Sequence, residues 1–313
     1  MRKRLAAVPT ILAAMVLAVT ACGGGGGGDP LSGGGSSPTA GSGDAGTPIK
    51  IGSANFPENV LLAQIYGQAL EAKGVAVDIL PPIQSREAYF PGLKDGSIDL
   101  VPEYTGVLLQ FLQPNATETS PDEVYAALQK VVPAPLIVLN RSEAEDKDAV
   151  VVTQAFATQN NVKTIEDLAP LCPTLVFGGP PEFQTRPDGI PGLQETYNCT
   201  FKEYKSLDVG GPLTVAALKN GDVQAADLFT SDPAITNNGF VALEDPKNNF
   251  AAQNVVPLIN SAKATDQVKE VLNAVSAKLT TQVLLDLNGQ LGGADKPNPD
   301  VVAKEWLQSQ GLL

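Results

Sequence analysis

Two short stretches carry the residues with the clearest chemical potential. Residues 99–106 read DLVPEYTG, and residues 224–231 read QAADLFTS. In the first, the apolar run Ile98–Val101 meets Pro102, and Tyr104 follows on a corner bracketed by Pro102 and Gly106. Tyr104 and Phe229 each precede a threonine, Thr105 and Thr230. Ring faces attract organic cations by roughly 0.5–2 kcal/mol per well-placed ring, and a quaternary ammonium has no N–H to donate, so rings suit it. Phe56, Tyr89, Phe183 and Tyr204 are further rings in or near the same loops, with a core role as the alternative for each. Arg186 could pair a ligand carboxylate or make an ion pair with Asp188 or Glu182. Glu103, Asp99 and Asp232 are the carboxylates a hydrolase would need to bring together in pairs. The chain has no histidine, which excludes Ser-His-Asp and Cys-His nucleophiles and histidine-ligated metals. No metal and no cofactor are expected.

The elements that must position these residues follow from periodicity. Ile49–Gly52 reads as a strand, and Pro57 opens a helix whose apolar positions Leu61, Ile65 and Ala69 recur at helical spacing before Gly74. Val75–Leu80 is a second strand, Ser85–Lys94 a helix closed at Gly96, and Ile98–Val101 a third strand. Such alternation implies a parallel sheet covered by helices. After the charged stretch Glu143–Asp148 the pattern restarts with the strand Val150–Thr153, a helix opened by Thr164 and the strand Leu175–Gly178. The loop Gly179–Gly192 holds four prolines and is long enough to be functional. Val268, Leu272, Val275 and Leu279 mark a buried helical face, and Trp306 with Leu307 anchors a last helix.

The two halves also echo one another. AYFPGLKDGSIDLVPEYTG at 88–106 aligns without a gap to LTVAALKNGDVQAADLFTS at 213–231. Gly96 falls on Gly221, Tyr104 on Phe229 and Thr105 on Thr230. Two similar lobes would then face each other, each offering an aromatic-Thr pair at the carboxyl end of a strand, where open α/β sheets bind ligands.

The amino terminus combines Arg2, Lys3 and Arg4 with the apolar run Leu5–Val19 and the small residues before Cys22. That arrangement is a signal peptide over residues 1–21 and resembles a bacterial lipobox, with Cys22 the lipidated residue. Residues 22–48 are rich in Gly and Ser and read as a tether without a core. The placement expected is extracytoplasmic, anchored by lipid to the bacterial membrane. With Cys22 acylated, Cys172 and Cys199 remain and read as a disulfide in an exported chain. A formal charge of −13 argues against nucleic acid as a partner and is compatible with a cationic ligand.

Ile49–Ser53 with Phe56-Pro57-Glu58-Asn59, the segment Lys94–Gly106 ending PEYTG, Glu182-Phe183 through Arg186-Asp188-Gly189, and Phe229-Thr230-Ser231-Asp232 together resemble the glycine betaine/choline/carnitine substrate-binding lipoproteins of osmoprotectant ABC importers. The resemblance covers nearly the whole chain after residue 48. It implies an α/β, two-lobed type II periplasmic-binding-protein fold, each lobe a mixed, mostly parallel sheet flanked by helices, closing on a ligand in the cleft between them. Lobe 1 is expected over 49–152 plus 253–313 and lobe 2 over 153–252. The function implied is capture of a quaternary-ammonium osmoprotectant by a monomeric, non-enzymatic protein that passes it to an ABC permease. Tyr104 matches the cage tyrosine of the family, Phe229 stands where an aromatic precedes Thr, and Asn59 falls where the first-loop amide sits. Arg86 or Glu87 lies near a position that tunes choline against betaine. Thr105, Thr230, Phe56, Arg186 and Asp232 complete the expected ligand set. Val107 replaces a common threonine, and Asn140–Val150 holds no tyrosine, so fewer rings are expected than in many members. The alternatives are the same fold holding a different apolar or aromatic molecule, and an exported carboxylate-based hydrolase.

If Cys22 carries the anchor, Cys22→Ser releases the protein from membranes into the soluble fraction. An unchanged membrane fraction for that variant refutes the lipoprotein reading.

Overall fold

The computed structural model describes residues 47–292 and 295–313; the leader, Cys22 and most of the tether lie outside them. The strands of the described residues, numbered in chain order, are β1 Ile49–Ile51, β2 Val77–Ile79, β3 Leu100–Tyr104, β4 Leu136–Val138, β5 Asp148–Thr153, β6 Val176–Gly179, β7 Glu203–Ser206, β8 Ala225–Phe229, β9 Phe240–Ala242 and β10 Val255–Asn260. They form two five-stranded sheets, ordered β2-β1-β3-β10-β4 and β7-β6-β8-β5-β9. In the first, β1 is parallel to β2 and β3, and β10 is antiparallel to β3 and β4. In the second, β6 is parallel to β7 and β8, and β5 is antiparallel to β8 and β9. The two sheets share one strand order and one set of directions.

The sequence echo is a structural repeat. Helix Arg86–Asp95 ends at Gly96 (φ 80°) and leads into β3; helix Pro212–Asn220 ends at Gly221 (φ 79°) and leads into β8. Both glycines are left-handed caps, a conformation that a side chain resists. β3 does not stop at Val101, where the sequence suggests, but runs through Pro102 to Tyr104. Pro102 faces Pro257 of β10 across the ladder, so the two residues that lack an amide hydrogen lie opposite each other. Tyr104 is therefore the last residue of a strand, and the helix Thr105–Leu112 starts immediately after it.

The chain passes between the sheets twice, over residues 139–147 and 243–254. The first passage precedes the boundary expected at Val152-Thr153, because all of β5 pairs with β8 and β9 in the second sheet. The charged stretch Glu143–Asp148 lies in this first passage and its entry into β5, and it is extended. Ser142, Ala144, Asp146 and Asp148 are buried while Glu143 is exposed, the alternation of an extended strand. The two passages pair with each other: Glu145 bridges Asn254, and Asp146 N donates to Gln253 O at 3.0 Å.

Each sheet has its own core. Helix Pro57–Glu71 buries Leu61, Ile65, Tyr66 and Leu70 against the helices Asp266–Ser276 and Pro299–Gln310, so the carboxyl-terminal segment packs on the first sheet. Phe177, Phe183, Leu193 and Phe250 fill the second core. Cys172 and Cys199 are fully buried there and joined by a disulfide that closes a loop of 27 residues.

A loop of that length constrains the unfolded chain by about 3–4 kcal/mol. The double change Cys172→Ser/Cys199→Ser should lower the melting temperature of the oxidised protein. It should leave a much smaller difference from wild type in excess reductant, and two thiols that alkylate in the folded, oxidised protein would contradict the bridge.

Candidate functional site

The loop after β1 places Phe56 as the residue that caps helix Pro57–Glu71, in extended conformation. From there its ring enters the space between the sheets. The Phe56 centroid lies 6.1 Å from Tyr104 and 5.6 Å from Phe229, at interplanar angles of 29° and 22°. Tyr104 and Phe229 do come from the two lobes as the echo implies, but they do not face each other directly. Phe56 stands between them, and the three rings form a column across the cleft.

Beside the column is a cavity lined by all three rings and by Gln84, Arg86, Tyr89, Asp146, Asp148, Glu182, Arg186 and Gln253. Both arginines are already paired. Arg86 forks onto Glu103 through Nε and Nη2, each at 2.8 Å, and Tyr89 donates its hydroxyl to the same carboxylate at 2.6 Å. Glu103 is fully buried and also takes the Tyr104 amide at 3.1 Å. Arg186 reaches across from the second lobe to Glu87 of the first at 3.2 Å, near the rim.

A second polar cluster adjoins the column. Tyr104 donates its hydroxyl to Glu58 at 2.7 Å, and burial with the nearby Glu58 carboxylate keeps that phenol protonated well above its ordinary range. Glu58 Oε2 also receives Asn288 Nδ2 at 2.5 Å and Ser231 Oγ at 2.7 Å. Ser231 Oγ lies 2.5 Å from Asp146 Oδ1 as well. Helix 57–71, the first crossing segment, the residues after β8 and helix Thr281–Gly292 all meet at this point. Nearby, Gln253 donates to Asp148 at 2.8 Å. Burial, with Asp148 close by, pushes the Asp188 carboxyl up to about 7 and lifts Asp227 well above its usual range.

The other expected ligand residues have different duties. Thr105 donates to Ala252 O at 3.1 Å and accepts from Asn254 N at 3.0 Å; Thr230 accepts from Lys147 N at 2.9 Å. Each threonine grips a crossing segment and is absent from the cavity wall, because its hydroxyl turns to backbone rather than to the cleft. Asn59 lines the cavity, yet its oxygen accepts from Ala54 N at 2.7 Å and its amide donates to Pro102 O at 3.0 Å, so it fastens two loops. Asp232 accepts from Ala234 N at 2.7 Å and, pushed up to about 6 by burial, lines a larger outer cavity on the far side of the Phe56–Phe229 contact. Glu87 is bound to Arg186. Phe183 is core, and Tyr204 packs on Phe177 with its hydroxyl on Pro180 O.

The carboxylates a hydrolase would use do not converge. Asp99, just before β3, and Glu103, within it, lie four residues apart on extended chain, roughly 13 Å at about 3.3 Å per residue, beyond the separation glycosidases use. Glu103 is consumed by Arg86 and Tyr89, Asp99 accepts the Lys50 amide at 3.0 Å, and Asp232 caps a turn.

Residues 47–309 match the family described as the substrate binding domain of the ABC-type glycine betaine transport system. The chain belongs to this family. A glycine betaine-binding protein of Escherichia coli, YehZ, is 24% identical over 283 residues, which span 85% of this chain and 92% of that protein. A glycine-betaine-binding protein of Pseudomonas aeruginosa is 24% identical over 288 residues, 88% of this chain and 91% of the relative. Among solved structures, a glycine betaine/carnitine/choline ABC transporter protein superposes with a TM-score of 0.67 at 20% identity, covering 84% of this chain and 99% of that one. The fold is the two-lobed binding-protein fold.

Sequence reasoning missed Glu58, Asp146, Asp148, Ser231 and Asn288 as cleft residues. The alternation Ser142, Ala144, Asp146, Asp148 was the available signal, since an extended segment would turn both aspartates to one side.

The raised acids set a pH dependence. Folded, Asp188 keeps its proton to about pH 7, whereas unfolded it ionises near 3.8, so its contribution is present at low pH and lost as pH rises through that window. Between about pH 4 and about pH 7, the wild type should therefore lose melting temperature relative to Asp188→Asn. A difference that is flat or of opposite slope rejects this.

Proposed function

We propose that this protein captures a quaternary-ammonium osmolyte, such as glycine betaine or choline, between its lobes and delivers it to the membrane subunits of an ABC importer. The observation that carries the reading is the three-ring column, contributed from both sides of the cleft, with buried carboxylates and a cavity beside it. The family and the names of its relatives support the same ligand class. No reaction is involved. The lobes, residues 49 to about 145 with 253–313 and the interval between, close about the two crossing segments by hinge motion. The chain works as a monomer outside the cytoplasm, held to the membrane by acylated Cys22 and the tether. No helix of the described residues is long and apolar enough to cross a membrane.

A second reading has one observation in its favour. The outer cavity, lined by Val209, Pro212, Val215, Leu291 and the Phe56 and Phe229 rings, is mostly apolar and larger than the inner one. A ligand with an apolar or aromatic tail would use both.

Titration calorimetry with tetramethylammonium, choline and glycine betaine tests the first reading. A ligand at a hundred times its dissociation constant should also stabilise the protein by about 2.7 kcal/mol. Tyr104→Leu keeps apolar bulk without the ring quadrupole and should weaken binding by about 1–3 kcal/mol, roughly five- to 150-fold. Tyr104→Phe should lose much less. If Leu binds as well as Phe does, Tyr104 is packing and the ring cage fails.

A further inference from the structure

We infer that Asp146 makes the cleft selective for ligands of net positive charge over zwitterions, the bound cation taking the place of a proton on that carboxyl. The inference rests on the quaternary-ammonium reading and deepens it.

The first ground is the state of the cavity's positive groups. A zwitterion such as glycine betaine needs a donor for its carboxylate. Arg86 is locked in a buried fork with Glu103, and Arg186 holds Glu87 through Nε at 3.2 Å and Nη2 at 3.4 Å. Engaging either one requires breaking an existing ion pair, and for Arg86 that would strand a fully buried carboxylate. The cavity's remaining carboxylates, Asp148 and Glu182, repel a ligand carboxylate.

The second ground is a count of hydrogens at Ser231. Its Oγ lies 2.7 Å from Glu58 Oε2 and 2.5 Å from Asp146 Oδ1. A hydroxyl has one proton and can donate to only one of them. The other contact requires a carboxylic acid donating to Ser231, so one of the two carboxyls carries a proton. Glu58 is the better anion. It takes the Tyr104 hydroxyl and the Asn288 amide in addition to Ser231, and it sits in the first turn of a helix, where the dipole favours negative charge. The proton therefore belongs to Asp146. Burial and the neighbouring Glu58 act in the same direction on that group.

The third ground is access and charge balance. Asp146 is only 2% exposed, yet it lines the cavity beside the rings. Among the described residues, no ion pair reaches either Asp146 or Glu58. The titratable and charged groups facing this cluster are Asp148, Glu182, Tyr89, Tyr104, Arg86 and Arg186 on the inner side, and Asp232 and Lys296 around the outer cavity. An organic cation against the ring faces supplies the charge that the proton otherwise supplies. Asp146 then ionises, and one proton leaves to solvent for each cation bound. A zwitterion brings no net charge and displaces no proton.

Calorimetric titrations of the mature, full-length chain with choline and with glycine betaine, in phosphate and in Tris, test this. At about pH 8 choline should bind at least about tenfold more tightly than glycine betaine, and that advantage should shrink toward about pH 5 as the proton competes. Choline heats should differ between the buffers by up to about one proton released, and glycine betaine heats should not. Asp146→Asn preserves shape and a donor to Ser231, and should abolish both the proton release and the pH dependence of choline affinity. Glycine betaine binding as tightly as choline at high pH, choline binding without buffer-dependent heat, or proton release surviving in Asp146→Asn would each overturn the inference while leaving the quaternary-ammonium reading intact. Should neither ligand bind the wild type, that reading falls and the inference with it. If Asp146→Asn fails to fold, the two-buffer comparison on the wild type decides alone.

Discussion

Two backbone segments carry the chain between the sheets, and the site depends on how they are held. They pair with each other at Glu145 and Asn254, and the two echo threonines clamp them from opposite lobes, Thr230 on Lys147 and Thr105 on Ala252 and Asn254. Because the segments are extended, every second side chain points the same way. Asp146 and Asp148 from one and Gln253 from the other are thereby delivered to the same wall of the cavity. A hinge built from paired strands can bend where it leaves each sheet and still keep these groups in register with the rings.

Charge is the second constraint. The two lobes bury Glu58, Glu103, Asp146, Asp148, Asp188 and Asp227, and among them only Glu103 has a buried guanidinium as its partner. Isolated carboxylates in such surroundings are expensive, so they retain protons or share hydrogen bonds. The raised values at Asp146, Asp188 and Asp227 express this directly. A site left in that condition has a standing deficit of positive charge, and ring faces beside it are suited to hold a cation that cannot hydrogen-bond.

Much of the fold was legible in the sequence because it rests on local periodicity. The alternation of strands and helices, the left-handed glycines and the gapless echo at 88–106 and 213–231 all have direct counterparts in the two sheets. The ring residues were legible too, since Tyr104, Phe229 and Phe56 line the cavity. What escaped depends on partners distant in the chain. Nothing near Pro102 announces that Pro257 will lie opposite it and let the strand continue. An acidic run reads as solvated until Ser231 and Gln253 arrive to receive it. Thr105 and Thr230 carried the correct positions and the wrong duty: threonine next to a ring is compatible with either ligand or backbone, and only the crossing segments decide between them.

The repeat also explains why the site is asymmetric. Position by position, the aromatic-Thr pair is followed by Gly106 in one half and Ser231 in the other. Gly106 packs so close to the second crossing segment that a Cβ there would stand 2.6 Å from Ala252 O, so the first half has no room for a side chain at this point. The equivalent position in the second half abuts the first crossing segment instead, with space for a hydroxyl between Glu58 and Asp146. Likewise Glu103, held by Arg86 in the first half, corresponds to Leu228 in the second, and Pro102 corresponds to the buried Asp227. Duplicated architecture sets two rings at equivalent strand ends. These unmatched neighbours give the cleft one side fixed by an ion pair and another where two buried carboxyls meet at one hydroxyl.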